Sequence, residues 1–277
     1  MAIRLVAIDL DGTLLTGDKQ ISDAAAGALR DAMRIGGARI VLASARPPRT
    51  ILSFYRQLEL DTPVICCNGA LVQLPETGQV IIHRPIPTRL AVRAVKLARK
   101  LYPKIIISAE IIDRWYTTHF NYTRRDSLET FGRPDVVGPV ESWLNRPLTK
   151  LLLIETQAKL MEVGIALREE LAEELTIAQT EENLLQVIHK LASKGRCLRS
   201  VAAQLGIDRS EVMAIGDNAN DVGMLRWARI GVAMGNASPK AMDAADYVTK
   251  TNDDDGLAAA IRRAVLEGRQ PGRKLRN

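Results

Sequence analysis

The sequence predicts an α/β protein: a doubly wound parallel-sheet (Rossmann-like) core interrupted by an inserted α+β unit. Three observations point there. Short apolar runs alternate with helical patterns over the first 83 residues, the texture changes near Pro85, and the first pattern resumes near Lys194. Strands separated by helical segments imply parallel βαβ units, and one pattern split by another implies a domain inserted into a domain. At 277 residues the chain is long for one core and suits two. The expected core is 1–84 with 190–277, and the expected insert is 85–189.

The elements follow in order. "IRLVAID" reads as a strand, and "SDAAAGALRDAMRIGG" as a helix with Ser22 or Asp23 as N-cap and glycines at its end. "ARIVLAS" is a second strand, and "PPRTILSFYRQL" a helix with proline in its first turn. "PVICC" is a third strand, followed by a hairpin around Glu76-Thr77-Gly78. In the insert, "IPTRLAVRAVKLARKLY" is a basic amphipathic helix followed by strand-like "KIIISAEIIDRWYTT". A polar, aromatic-containing stretch covers 119 to 147. Strand "LTKLLLIET", helix "AKLMEVGIALREELAEE" and a strand pair around "TIAQTEENLLQVIH" complete the unit. Its aromatic residues are expected mostly in core packing. After Lys194, helix "GRCLRSVAAQLG", strand "SEVMAIGD", helix "NDVGMLRWA", strand "IGVAM", helix "SPKAMDAA", strand "YVT" and a C-terminal helix resume the parallel pattern.

Composition excludes several classes. The chain is 47% hydrophobic and 25% charged, ordinary for a globular protein, and no apolar run is long enough to span a bilayer. Arg4 and Asp9 leave no room for a signal-peptide apolar region, so the expected location is the cytoplasm. Cys66 and Cys67 are adjacent and Cys197 is distant, which fits neither a CxxC pair nor a disulfide framework. His83, His119 and His189 fit no zinc spacing. Any metal would be a hard, oxygen-ligated ion. Half of the +6 net charge sits in the last eleven residues, a Pro/Gly-containing tail of the kind that frays. With only 4% aromatics and no basic stretch interleaved with stacking rings, nucleic acid is not an expected partner. An anionic metabolite steered by mild positive charge is.

The chemistry concentrates where strands end, since ligands of open parallel sheets sit beyond the carboxyl ends of the strands. Asp9 and Asp11 follow the first strand and, two apart, point to the same side. Ser44-Ala45-Arg46 follow the second, at a helix start with a free hydroxyl and backbone N–H groups, which suits an anion and equally a plain N-cap. Lys194 precedes the helix after the insert, where a solvated lysine is equally ordinary. Asp217, Asn218, Asn220 and Asp221 follow the next core strand, more acid and amide than a turn requires. Converging carboxylates call for a divalent cation such as Mg2+. Amides, serine and lysine around it suit a phosphoryl group, and a carboxylate beside that group can act as nucleophile and form an aspartyl-phosphate.

"DLDGTLL", "SAR", "SKG" and "GDNANDVGML" resemble, as an ordered set, the four motifs of the haloacid dehalogenase superfamily. "NGA" at 68–70, the insert, "VAMGNA" and "DDDGLAAAI" are similar to its Cof-type branch with a type IIB cap. The resemblance spans nearly the whole chain. It implies a Mg2+-dependent phosphatase of small phosphorylated metabolites, with the insert as the specificity-giving cap. In it Asp9 is the nucleophile and Asp11 the acid that protonates the leaving group and then activates water. Asp9, the Asp11 carbonyl and Asp217 hold Mg2+, with Asp221 as outer support. Ser44, the backbone at Leu10 and Ala45, Lys194 and Asn220 hold the phosphate. Ala45 stands where the family usually has glycine; a left-handed backbone there would cost alanine about 1 kcal/mol. Competing readings are a non-enzymatic, receiver-like phospho-switch and a sugar-phosphate mutase of the same superfamily. The large insert and Asp11 argue against the switch. Polar candidates for substrate contact in the insert are Tyr116, His119, Tyr122, Arg124 and Arg125, each equally suited to a surface or core place.

Overall fold

A computed structural model describes residues 2–120 and 133–269. By contacts the chain divides into two units: Met1–Arg46, Ile51–Ile81 and Ser193–Asn277, and Pro47–Thr50 with Ile82–Ala192. The second unit therefore begins and ends within three residues of the expected insert. It also takes in Pro47–Thr50, which the sequence placed in the core. No helix among the described residues is long and apolar enough to cross a membrane.

In the first unit, β1 (Leu5–Ile8), β2 (Arg39–Leu42), β12 (Val212–Gly216), β13 (Ile230–Ala233) and β14 (Tyr247–Val248) form one parallel sheet in the order β14-β13-β12-β1-β2. β1 lies at its interior and all four of its residues are buried, which is why it reads as an unbroken apolar run. Beyond β2, Ala43 bridges to Ile65 of β3 (Val64–Cys66), which turns antiparallel into β4 (Leu71–Leu74) and β5 (Gln79–His83). Helix α1 (Asp23–Arg34) starts at Ser22, whose hydroxyl accepts from the Ala25 N–H at 3.1 Å. Its alanines and Leu29 form the buried face. The proline-led segment after β2 is one 3-10 turn (Pro48–Thr50) followed by α2 (Leu52–Gln57), shorter than the helix expected there.

In the second unit, β6 (Ile106–Ile111), β7 (Arg114–Thr117), β8 (Val136–Val137), β9 (Lys150–Ile154), β10 (Leu175–Glu181) and β11 (Leu184–His189) form a sheet in the order β10-β11-β9-β6-β7-β8. Side chains alternate across it. Ile107, Ala109, Leu151, Leu153, Leu185, Val187 and Tyr116 pack with Leu90, Ala94 and Val95 of α3 (Thr88–Leu101) and Leu160, Val163 and Leu167 of α4 (Gln157–Leu171). The register puts Ser108, Glu110, Trp115, Thr117, Lys150 and Gln186 on the opposite face. All of these but Trp115 are buried. Of the polar candidates, Tyr116 belongs to the helix-facing core, its ring 5.9 Å from Trp143, in line with the core packing expected of the aromatic residues. His119 is exposed, and Tyr122, Arg124 and Arg125 lie outside the described residues, as does most of the basic tail.

After the insert, α5 (Lys194–Gln204), α6 (Val222–Trp227), α7 (Pro239–Ala244) and α8 (Gly256–Ile261) alternate with β12 to β14.

Candidate active site

The β1–β12 ladder does not stop at Ile8: the Asp9 N–H donates to the Ile215 carbonyl at 3.1 Å, which carries Asp9 alongside the end of β12. There the chain turns through Asn218 to Asp221, and Asp221 Oδ2 accepts from the backbone N–H groups of Asp217 and Asn218 at 3.1 and 3.0 Å. The turn is possible because Gly216 has no side chain; a Cβ there would lie 2.6 Å from Asp221 Cβ. Lys194, the first residue of α5, is buried and donates from Nζ to Asp9 Oδ1 at 2.7 Å and to Asp221 Oδ1 at 2.6 Å. Four of the residues singled out from the sequence thus meet in the first unit. Carboxylate oxygens of Asp9, Asp217 and Asp221 lie within 4.8 Å of one another.

Three carboxylates and one ammonium leave a net of two negative charges in a buried place. Burial, then Asp221 and Asp217, push the Asp9 carboxyl well above its ordinary range, against the opposing pull of Lys194. Burial and Asp221 push Asp217 up as well. Burial alone would lower the Lys194 ammonium, but Asp221 and Asp9 outweigh it and raise it. Such a donor set of crowded, hard oxygens fits a divalent cation, which removes the charge that raises Asp9.

Asp11 is oriented differently. Its carboxylate faces Arg46, which donates from Nε to Oδ2 and from Nη2 to Oδ1, both at 2.7 Å, and Lys19 adds a third contact at 2.9 Å. Partial burial would raise its carboxyl, but the Arg46 and Lys19 hydrogen bonds and charges bring it down to about 2. The Asp11 side chain is not one of the three that cluster.

Ser44 is buried, and its Oγ accepts from the Arg46 N–H at 3.1 Å. The loop it opens is tied to the turn after β3: Ser44 N–H donates to the Ile65 carbonyl at 2.8 Å, and the N–H groups of Cys67 and Asn68 donate to the Arg46 and Ser44 carbonyls at 3.0 Å each. Ala45 is absent from the left-handed residues, so alanine carries no backbone cost there. The strain sits instead at Cys67 and Asn68, consecutive residues with φ of 50° and 56°. Such conformations cost about 1–3 kcal/mol each and persist where surrounding structure enforces them. Asn68 is also where Asn220 lands, its Nδ2 donating to Asn68 Oδ1 at 2.9 Å. Arg46 and Asn68, like Lys19, are residues to which sequence reasoning gave no role. The positive charge beside Ser44 was a signal for the first, and the Asn-Gly pair after β3 a signal for the second.

The model of the haloacid dehalogenase-like hydrolases matches residues 6–261. The chain belongs to that family. It is a Cof-type member and an enzyme of the phosphatase class. A provisionally named phosphatase of Streptococcus pyogenes is 34% identical over 273 residues, covering 96% of this chain and 100% of that one. Among solved structures, a haloacid dehalogenase-like hydrolase from Bacteroides thetaiotaomicron superimposes with a TM-score of 0.83 at 29% identity, over 94% and 99% of the two chains. The subclass IIB sugar phosphatase BT4131 does so with a TM-score of 0.79 at 26% identity, over 94% and 98%.

Proposed function

We propose that this phosphatase is a Mg2+-dependent phosphomonoesterase of small phosphorylated metabolites, sugar phosphates among them, working through an aspartyl-phosphate on Asp9. The observation that carries the proposal is the cluster of Asp9, Asp217 and Asp221 after β1 and β12 with Lys194 at the start of α5, all buried but the half-buried Asp217. Likeness to a sugar phosphatase supports the substrate class. In this reading Asp9, Asp217 and the Asp11 carbonyl hold Mg2+, with Asp221 behind them. Bound there, the ion neutralises carboxylate and phosphate charge. Ser44, Lys194, Asn220 and the backbone N–H groups of Leu10 and Ala45 hold the phosphate.

Asp9 Oδ1 accepts from Lys194, and a carboxylate oxygen of Asp9 is the attacking atom. As its bond to phosphorus forms, the P–O bond to the leaving group breaks, and Asp11 gives that oxygen a proton. Water then attacks phosphorus, Asp11 takes its proton, the P–O bond to Asp9 breaks, and inorganic phosphate leaves. Asp11 as held by Arg46 and Lys19 is ionised, which suits the second step; to serve in the first it has to part from them and acquire a proton. The second unit acts as the cap that admits small esters and refuses polymers. Phosphate release from a panel of phosphorylated metabolites tests this. Activity with Mg2+ that EDTA abolishes supports it, and full hydrolysis in excess EDTA refutes it.

A further inference from the structure

Residues 67 to 69, Cys-Asn-Gly, turn the chain after β3 with three consecutive positive φ angles of 50°, 56° and 88°. Only the third is a glycine. Two left-handed residues with side chains, one after the other, persist only where their surroundings enforce them. Those surroundings all belong to the first unit. The Cys67 and Asn68 N–H groups are held by the loop that Ser44 opens. Gly69 packs so closely on the start of α5 that a Cβ would lie 2.5 Å from the Ser193 carbonyl carbon, and Cys197 Sγ donates to the Gly69 carbonyl at 3.2 Å. Asn220 reaches in from the turn after β12. The Cys-Asn-Gly turn is thus packed against the three segments that carry Ser44, Lys194 and Asn220.

An asparagine amide has one oxygen acceptor and two N–H donors. Asn68 is only 8% exposed; its Oδ1 accepts from Asn220, while its Nδ2 donates to no described residue. Nδ2 is not among the sealed polar atoms that lack a partner, so a ligand from solvent can reach it. The buried Ser44 is in a similar condition: its Oγ accepts from the Arg46 N–H, and its own proton goes to no described residue. The Lys194 ammonium has three N–H groups and spends two, on Asp9 and Asp221. Buried donors are nearly always paired, so unspent donors on three neighbouring segments call for an acceptor-rich partner. A phosphoryl group, anionic and with several oxygens, is such a partner. We propose that Asn68 is a further phosphate-binding residue, donating from Nδ2 to a phosphoryl oxygen beside Ser44 and Lys194. The proposal rests on the phosphate site given above and adds a residue to it. Two plainer readings compete. Asparagine tolerates left-handed backbone better than most residues, and Asn68 could serve only to orient Asn220.

Calorimetric titration of the protein with inorganic phosphate in the presence of Mg2+ separates the three. Asn68→Gly accepts the left-handed backbone without steric cost and deletes the amide. It is expected to stay folded and to bind phosphate about tenfold or more weaker, since a hydrogen bond to a charged group is worth roughly ten- to hundredfold. If backbone tolerance were the whole role, phosphate affinity would be unchanged. A double-mutant cycle with Asn220→Ala tests the other reading. Acting only through Asn220, Asn68→Gly would change affinity by less than about twofold in the Asn220→Ala background; a direct donor is expected to lose about tenfold there too. Asn68→Asp, which keeps an oxygen for Asn220 but offers no N–H, repeats the cycle if Asn68→Gly proves unfolded by circular dichroism. Unchanged affinity in Asn68→Gly while Ser44→Ala weakens binding, or a loss that vanishes without Asn220, overturns the proposal and leaves the phosphate site standing. Wild-type protein that binds no phosphate, or binding that Ser44→Ala leaves intact, overturns the site and the proposal with it.

Discussion

Replacing Lys194 by methionine removes the only ammonium among the described residues that touches the acid cluster, at nearly constant side-chain volume. Nζ lies 2.7 Å from Asp9 and 2.6 Å from Asp221, and the lysine and Asp221 side chains are wholly buried. Removing one partner of such a buried pair costs about 3–5 kcal/mol, because the other charges remain without compensation. Asp9 offsets part of this by taking up a proton, since its carboxyl is already pushed up by burial and by Asp221. A loss near the lower end, about 3 kcal/mol, is therefore expected in EDTA, or roughly 6–12 °C at about 2–4 °C per kcal/mol. A divalent cation should restore much of it, because a ligand at 100 times its dissociation constant stabilises by about 2.7 kcal/mol. Thermal unfolding of both proteins in EDTA and in Mg2+ is the assay. The electrostatic account is refuted if Lys194→Met unfolds within about 1 °C of the wild type in EDTA.

Further outcomes follow from the same geometry. Because Asp9 has a raised carboxyl, the folded protein holds a proton that the unfolded chain has released above its ordinary 3.8, so stability in EDTA should fall as pH rises toward neutrality; Mg2+ should flatten that slope, as urea titrations at pH 5 and 7 would show. Asp9→Asn should abolish turnover while raising the melting temperature in EDTA, because it removes one of the crowded charges. Gly12 has φ of +77°, and a Cβ there would lie 2.5 Å from Asp217 Oδ2. Gly12→Ala should therefore cost about 1–3 kcal/mol and raise the Mg2+ concentration needed for half-maximal activity. Asp11 runs the opposite way to Asp9: lowered to about 2 from 3.8, it stabilises above pH 3.8 and loses that contribution as pH falls toward 2. Unscreened, the shift would be about 2.4 kcal/mol, and with this side chain 41% exposed about 1 kcal/mol survives solvent screening. Asp11→Asn should lose about that much at pH 7, measured by urea unfolding.

The parts of the site readable in the sequence were those fixed by strand ends. Asp9 and Asp217 are the first charged residues after the apolar runs of β1 and β12, and so marked where those runs end. Lys194 could be placed near them only because its helix follows the insert. What stayed hidden depends on side-chain direction. Arg46 sits beside Ser44 in sequence, but its fork onto Asp11 depends on how the β2 loop turns. Asn68 requires left-handed backbone, which residue type alone does not announce. In the second unit residue type left Tyr116 open between core and substrate contact, and β6–β7 pairing, which sets it opposite Ala109, puts it on the helix side. Glu110 and Lys150 sit in strands whose neighbours are nearly all apolar, and only the register of β6 against β9 shows that they are paired across one buried face.

The central claim is a covalent phosphoryl group on Asp9, and trapping it is the most direct measurement. The protein, mixed with 32P-labelled sugar phosphate and Mg2+ and quenched in acid during turnover, is digested with trypsin, and the fragment spanning 5–19 is recovered. Hydroxylamine-labile label on that fragment, lost in Asp9→Asn, is the predicted result. Steady release of inorganic phosphate with no label on the fragment above the level in Asp9→Asn would contradict it.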